Sequence, residues 1–274
     1  MTICIAALAG KEHVIVASDR MVTINIPSTE FEQGTSKTIP ITDNCVAATA
    51  GSALAYTSIH REAQIEILRE NTKQISRIGE ITRLAYVKMR TQKLEQDILA
   101  KIGLTLQQFY QLNRSLAPEI IANAVQAMSD YPYNLSIVIA GVDSSSSHIY
   151  RIDNPGRIET FDSIGHCAVG SGELHALSTF VANDYTPDLD LDHVVALTYE
   201  AKKRSEKAQG VGQKTDLCII CQDGTIKLTQ EQIAKLDEIY KKREQEEKKA
   251  VSEIQELITK LNMADIDKNT RNKN

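Results

Sequence analysis

The chain has 274 residues, of which 42% are hydrophobic and 24% charged, and its formal net charge is -5. This composition is typical of a soluble globular protein with one large domain, or one domain with an appendage. The negative balance gives no basic surface for nucleic acid, and no apolar run reaches the ~20 residues that a membrane helix needs.

Apolar runs separated by turn residues predict a β-rich first segment. Residues 2–9 and 13–18 flank Gly10-Lys11-Glu12 and are predicted to form an antiparallel hairpin. A polar stretch follows, and residues 21–33 are expected to be a loop that shapes the substrate pocket. Beyond it we predict strands at 38–42 and 45–50, then helices at 53–72 and about 75–99, where apolar residues recur with helical periodicity.

The second half of the chain repeats this order of strands followed by helices. Strands are predicted at 135–142, 148–152, 158–161 and 167–170, helices at 173–183 and 192–208, and final strands at 216–221 and 225–228. This order indicates an α+β fold in which two antiparallel sheets carry helices on both outer faces. The predicted domain covers residues 1–228 and includes a helical insertion at about 92–130, which is either an inserted helical hairpin or an extension of the second helix.

Residues 229–274 are predicted to form a charged helical extension. Thr229 is a candidate N-cap, and the helix is expected to reach about Met263 before a disordered tail of roughly ten residues. Apolar residues share one face near its end, at Val251, Ile254, Leu257, Ile258 and Leu261. This stripe would pack either on its own domain or in a coiled contact between subunits, and the sequence leaves both open.

Thr2 is the candidate nucleophile because it directly follows the initiator Met1. Removal of Met1 would give one residue both a hydroxyl and a free α-amine, and the amine can take the proton from Oγ1. An α-amine titrates near about 7.7–8.0 in model peptides, so part of it is neutral at neutral pH. Such a site needs no separate His or carboxylate as the base.

Four further motifs follow Thr2 in order along the chain. They are Ser18-Asp19-Arg20, Lys37, Thr49-Ala50-Gly51 and Gly170-Ser171-Gly172. With Thr2, this series resembles the proteasome β-subunits and their bacterial relatives of the HslV and Anbu types. Those proteins are Ntn hydrolases of the threonine-peptidase branch, and the resemblance covers most of residues 2–90 and 135–228.

The resemblance implies a four-layer αββα sandwich and a catalytic set of Thr2, Asp19, Lys37, Gly51 and Ser171. A Lys37 ammonium near the Thr2 amine would disfavour a second positive charge and leave that amine free to act as a base. Asp19 would pair with Lys37 and hold its ammonium in place. The Gly51 amide would donate to the oxyanion, and Ser171 would lie beside the nucleophile.

One part of the family pattern is not matched. Active members carry an Asp and a Ser in a loop before a late strand, where they orient the N-terminal Thr. The corresponding positions here are Ala208 and Val211, and neither has a polar side chain. Glu206, Gln213 and Thr215 are the nearby candidates to replace them.

No metal site or cofactor is predicted. The cysteines lie in apolar runs and are expected to be reduced core thiols, while the CxxC pair Cys218 and Cys221 falls in a strand, where residues three apart face opposite sides. The histidines have no zinc-binding spacing, and only His166 and His175, which flank Gly170-Ser171-Gly172, remain of interest.

The resemblance further implies cleavage of peptides or unfolded proteins inside a self-assembled homo-oligomer, a ring or a helical stack. An ATPase unfoldase is a further candidate partner, whereas neither nucleic acid nor membrane is expected. The chain begins without a signal peptide's features, so a cytoplasmic location is expected. The alternatives are an inactive structural or regulatory subunit and an Ntn amidohydrolase that acts on a small-molecule amide.

Overall fold

The computed structural model describes residues 2–25, 28–32, 34, 36–112 and 114–271, without side-chain detail at 22–25, 28–30, 53–54 and 262–271. The chain divides into two compact units, Met1–Leu228 and Thr229–Asn274. Of the helices described, none is long and apolar enough to cross a membrane.

The strands of the first unit are β1 (Ile3–Ala9), β2 (His13–Asp19), β3 (Met21–Asn25), β4 (Ser28–Glu32), β5 (Thr38–Thr42), β6 (Cys45–Gly51), β7 (Leu135–Val142), β8 (Ser147–Asp153), β9 (Arg157–Thr160), β10 (His166–Gly170), β11 (Thr215–Cys221) and β12 (Gly224–Lys227). Its helices are α1 (Ala53–Glu70), α2 (Ile75–Asp97), a 3-10 turn (Leu99–Ile102), α3 (Leu106–Leu112), α4 (Pro118–Ser129), α5 (Glu173–Ala182) and α6 (Leu191–Ser205).

Two antiparallel sheets form the centre of this unit. The first has the order β10-β1-β2-β11-β12, and the second has the order β5-β6-β7-β8-β9. Apolar side chains from both fill the space between them, among them Cys4, Val16, Val46 and Val138. Successive residues of a strand point to opposite faces. The residues that alternate with these inward-facing ones therefore point to the outer faces of the sheets.

Helices cover the outer faces of both sheets. On the second sheet, Ala47 and Ile139 pack with Ile59 of α1 and Ile78 of α2, while α5 and α6 pack on the first sheet. Strands buried on both faces carry continuous apolar runs, as the fully buried β1 does. The layer order is therefore helices, sheet, sheet, helices, which confirms the predicted α+β αββα sandwich.

The segment at 21–33 differs from the prediction. We expected a loop, but β3 and β4 pair as an antiparallel hairpin in which Met21 lies opposite Glu32; residues 26–27 and 33 lie outside the described part. The loop prediction was wrong because the polar composition of this segment outweighed its alternating pattern.

The segment predicted as a helical insertion at about 92–130 contains the end of α2, the 3-10 turn, α3 and α4. It has a small core of its own, built on Leu99, Phe109 and Ala124. This core is separate from the two clusters that contact the sheets.

The second unit contains one helix, α7 (Gln230–Arg271). Thr229 caps it reciprocally with Gln232: the Gln232 amide donates to Thr229 Oγ1 at 3.3 Å, and the Thr229 amide donates to Gln232 Oε1 at 2.8 Å. The helix passes the end predicted near Met263, so most of the expected disordered tail is helical; residues 272–274 lie outside the described part. The apolar stripe is 51–57% exposed.

Candidate functional site

Pairing within the first sheet determines the surroundings of Thr2, which directly precedes β1. Strand β1 lies between β10 and β2, with Ile3 opposite Gly170 and Cys4 opposite Ser18. The end of β2 and the segment after β10 therefore flank Thr2. A hydrogen bond between the hydroxyls of Ser18 and Thr38, 3.3 Å long, holds the start of β5 beside the same end of β2.

Thr2, Asp19 and Lys37 form one hydrogen-bonded cluster. Thr2 Oγ1 donates to Asp19 Oδ1 and accepts from Lys37 Nζ. Lys37 Nζ also donates to Asp19 Oδ1 at 2.7 Å. The side chain of Asp19 is fully buried and that of Lys37 is 10% exposed, while Thr2 is 3% exposed. The hydroxyl thus contacts a cation and an anion in a site largely shielded from water.

Backbone amides fix the orientation of the Asp19 carboxylate. The Ile3 amide donates to Oδ1 at 3.1 Å, whereas Oδ2 accepts from the amides of Met21 at 3.1 Å and Gly212 at 2.8 Å. A buried carboxylate is stable when its oxygens are hydrogen-bonded in this way. Because both oxygens are occupied, the carboxylate cannot rotate without breaking several bonds.

Gly170 and Ser171 contact the backbone of Thr2. Gly170 has a φ of +113°, and a Cβ there would lie 2.2 Å from the Thr2 carbonyl oxygen; only glycine permits this approach. Ser171 Oγ donates to the Thr2 carbonyl at 3.3 Å and to the Gln209 carbonyl at 3.1 Å. Ser171 is therefore beside the candidate nucleophile, but it contacts the main chain and not Oγ1.

Gly51 ends β6 on the facing sheet. Its φ is +108°, and a Cβ would lie 2.1 Å from the carbonyl oxygen of Asn134. Next to it, Ser52 caps α1 by accepting from the Ala55 amide. Across the described residues no hydrogen bond joins Gly51 to Thr2; this strand end is linked to β1 by Cys4 Sγ, which donates to the Thr49 carbonyl at 3.3 Å.

The loop before β11 reaches the cluster through its backbone. Val211 is buried and packs close to Gly172, and neither it nor Ala208 offers a polar side chain. The Glu206 carboxylate bonds instead with Lys202. Sequence reasoning missed both Gly212 and Lys202. The Lys202–Glu206 spacing of four residues on a helix was the available signal, but it is also common on exposed helix faces.

Cys4, His166 and His175 are not members of the hydrogen-bonded cluster of Thr2, Asp19 and Lys37. Burial raises the pKa of the Cys4 thiol to about 12, although Lys37 acts in the opposite direction. Burial lowers the pKa of His166, whose ring stacks on Phe180 with centroids 4.6 Å apart. The His175 carbonyl accepts from Thr179 within α5. In the described ranges, no group of His, Cys, Asp or Glu is arranged to hold a metal ion.

Comparison with known proteins finds similarity to proteasome subunits. The family model described as "Proteasome subunit" matches residues 99–220, which include Ser171 and Lys202. Proteasome subunit beta 2 of Thermofilum pendens is 30% identical over 145 residues, which are 49% of this chain and 68% of that protein.

Two further relatives extend this similarity. Proteasome subunit beta of Archaeoglobus fulgidus is 29% identical over 52% of this chain and 68% of its own length. Proteasome subunit alpha of Methanococcus maripaludis is 24% identical over 88% of this chain and 79% of its own length. With the two-sheet sandwich and the order of the motifs, these matches show that the chain belongs to the proteasome subunit family.

Proposed function

We propose that the chain is an N-terminal threonine hydrolase that cleaves peptide amide bonds. The observation that carries the proposal is the pair of hydrogen bonds that Thr2 Oγ1 makes with Asp19 and Lys37. Nucleophilic hydroxyls require a partner that lowers the cost of the developing negative charge, and the Lys37 ammonium is within hydrogen-bonding distance of this oxygen.

The proposed reaction begins with removal of Met1, which frees the Thr2 amine. Oγ1 attacks the carbonyl carbon of the substrate, and its proton passes to this amine. When the tetrahedral intermediate collapses, the C–N bond breaks and the amine returns the proton to the leaving nitrogen. Water then attacks the ester and gives a proton to the same amine; the bond between Oγ1 and the acyl carbon breaks, and the amine returns this proton to Oγ1, which restores the hydroxyl.

Lys37 and Asp19 serve different steps in this scheme. The Lys37 ammonium stabilises negative charge on Oγ1 during attack, and Asp19 keeps that ammonium in position. The Gly51 amide is the proposed oxyanion donor, supplied by the facing sheet. Ser171 steadies the Thr2 carbonyl and so limits movement of the nucleophile.

We further propose that the substrates are peptides or unfolded proteins and that the chain acts in the cytoplasm as a homo-oligomer, a ring or a helical stack. An ATPase unfoldase would unfold folded proteins and deliver them to the site. Membership of the proteasome subunit family supports self-assembly. Exposure of the apolar stripe on α7 leaves it available for a contact between subunits.

Intact-mass measurement with and without a peptide epoxyketone tests the hydrolase proposal. This probe reacts with both the amine and the hydroxyl of an N-terminal threonine. We expect the wild-type chain to lack Met1 and to gain one probe mass, and the Thr2→Ala variant to gain none. A processed wild-type chain with no adduct and no cleavage of peptides would refute the proposal.

A non-catalytic subunit is the second candidate. The match to a proteasome subunit alpha spans 88% of this chain, more than the match to the beta subunits. Ala208 and Val211 also give the nucleophile no polar side chain. Retention of Met1 on the purified full-length chain would favour this candidate over the hydrolase.

A further inference from the structure

Lys202 on α6 is a fully buried lysine. Its side chain is 0% exposed, although lysine is almost never buried without partners. All of the hydrogens of an ammonium group are used here: Nζ donates to Glu206 Oε1 at 2.5 Å and to the carbonyls of Gly212 and Gln213, each at 2.9 Å. The side chain therefore joins α6 to the loop that precedes β11.

The same loop supports the candidate active site. The Gly212 carbonyl accepts from Lys202, and the Gly212 amide donates to Asp19 Oδ2 at 2.8 Å. A Cβ at position 212 would lie 3.1 Å from the Met21 nitrogen, so the loop is held close to the end of β2. Lys202 is thus connected to Thr2 Oγ1 through Gly212 and Asp19.

Packing alone does not require a lysine at this position. An apolar side chain of similar volume would avoid the cost of removing a charge from water, and such replacements often stabilise a protein. Burial lowers the pKa of Lys202, whereas the carboxylates of Glu206 and Asp19 act in the opposite direction. Keeping a cation at this position therefore costs free energy. Its hydrogen bonds go to carbonyls of the loop that supports the candidate active site.

We propose that Lys202 is a positioning residue of the threonine site. By holding the carbonyls of residues 212 and 213, it keeps the Gly212 amide on Asp19 and thereby fixes the carboxylate that orients Lys37 and Thr2 Oγ1. The role of Lys202 in reactivity rests on the proposed hydrolase function. Its role in placing the Gly212 amide does not, and the two are measured separately.

The test compares full-length wild type with Lys202→Met and with Lys203→Met as the matched control. Lys203 also bonds with Glu206, at 2.9 Å, and lies one position along the same helix. Residue-resolved hydrogen exchange reports the protection of the Gly212 amide. The rate at which a peptide epoxyketone modifies Thr2 reports reactivity.

We expect Lys202→Met to lose protection at Gly212 and to be modified about 100-fold more slowly, the effect of misplacing a reacting group by about 1 Å. Lys203→Met should keep both properties near wild type. If Lys202→Met does not fold, Lys202→Arg is used, because a planar guanidinium cannot reproduce the ammonium geometry; protection and rate should again fall together. Unchanged protection or an unchanged rate in the folded variant overturns the proposal.

The outcome separates the two proposals. If wild type is not modified by the probe, the hydrolase proposal fails, and hydrogen exchange at Gly212 still decides whether Lys202 positions that amide. If wild type is modified but Lys202→Met reacts equally fast, the hydrolase proposal stands and the positioning role is refuted.

Discussion

Replacing Asp19 by asparagine keeps the shape of the side chain but exchanges a negatively charged acceptor for a neutral amide. The two carboxylate oxygens accept hydrogen bonds from Thr2, Ile3, Met21, Lys37 and Gly212. An asparagine side chain has one oxygen and one NH2 group. Whichever way the amide is turned, its NH2 group replaces an oxygen that accepts hydrogen bonds and so faces other donors. The Lys37 ammonium also loses the negative charge with which it pairs.

The expected cost follows from the burial of this pair. Asp19 is fully buried and Lys37 is 10% exposed, so solvent screens the lost interaction little. Removing one partner of a buried ion pair costs ~3–5 kcal/mol, a large fraction of the roughly 5–15 kcal/mol by which domains are stable. We expect Asp19→Asn to lower the free energy of unfolding by this amount and to slow epoxyketone modification of Thr2 by about 100-fold.

Asp143→Asn is the matched control. The Asp143 carboxylate accepts from the Ile75 amide at 2.9 Å and from Ser145. Asp143 directly follows the last residue of β7, whereas Leu135, which pairs with Gly51, is the first residue of that strand. Asp143 therefore lies at the end of β7 away from Gly51. Burial would raise its pKa, but the hydrogen bonds from Ser145 and Ile75 outweigh this and lower the pKa to about 2. Its stabilisation is therefore present above the unfolded pKa of 3.8 and is lost as the pH falls through about 2.

Denaturant unfolding at neutral pH, followed by circular dichroism, measures both variants. Asp143→Asn should cost about 1–3 kcal/mol and leave the modification of Thr2 unchanged. An Asp19→Asn chain with the stability and the Thr2 reactivity of wild type would show that the hydrogen bonds around the carboxylate do not hold the site together.

Two further predictions concern backbone contact and pH. Gly170→Ala should destabilise the fold and reduce modification of Thr2, because its Cβ would lie 2.2 Å from the Thr2 carbonyl oxygen; thermal unfolding and the modification rate measure these effects. The hydrogen bond that His148 Nδ1 donates to the Asp162 carboxylate raises the pKa of the half-buried His148. The stabilisation that this pair gives to the fold is therefore full below the unfolded pKa of His148 and is lost as the pH rises through the folded pKa. The cost of His148→Gln should therefore be larger near about pH 5 than near about pH 8, by on the order of 1 kcal/mol, in denaturant unfolding at both values.

The control for Gly170→Ala is an alanine at another glycine with a positive φ. Gly103→Ala imposes a positive φ of +74° on alanine with no atom within 4 Å of the new Cβ, so it measures backbone strain without a clash. Equal losses in Gly103→Ala and Gly170→Ala would remove the steric argument. For His148, a cost that does not change with pH would show that the ring acts only through packing, for example against Tyr150.

Much of the fold could be predicted because it depends on local patterns. Apolar runs bounded by turn residues predicted both sheets, and Gly10 adopts the positive φ of +65° that a tight turn requires. The hairpin of β3 and β4 was missed because its residues are polar enough to read as a loop. The length of α7 was underestimated because its apolar stripe ends at Leu261 and the residues beyond it give no clear end signal.

The sequence by itself determined the strands and the local pairing: the turn at Gly10 makes β1 and β2 antiparallel neighbours and brings Asp19 to Thr2. The pairing of β1 with β10, which brings Ser171 to Thr2, joins segments that are distant in sequence, and the tertiary structure decided it. Only the tertiary structure decided the contacts made by backbone atoms of distant loops: Ser171 bonds with the Thr2 carbonyl, the Gly212 amide donates to Asp19, and the Gly212 carbonyl accepts from Lys202. Every residue carries such amides and carbonyls, so residue identities cannot indicate which of them will meet; the path of the folded loop decides it.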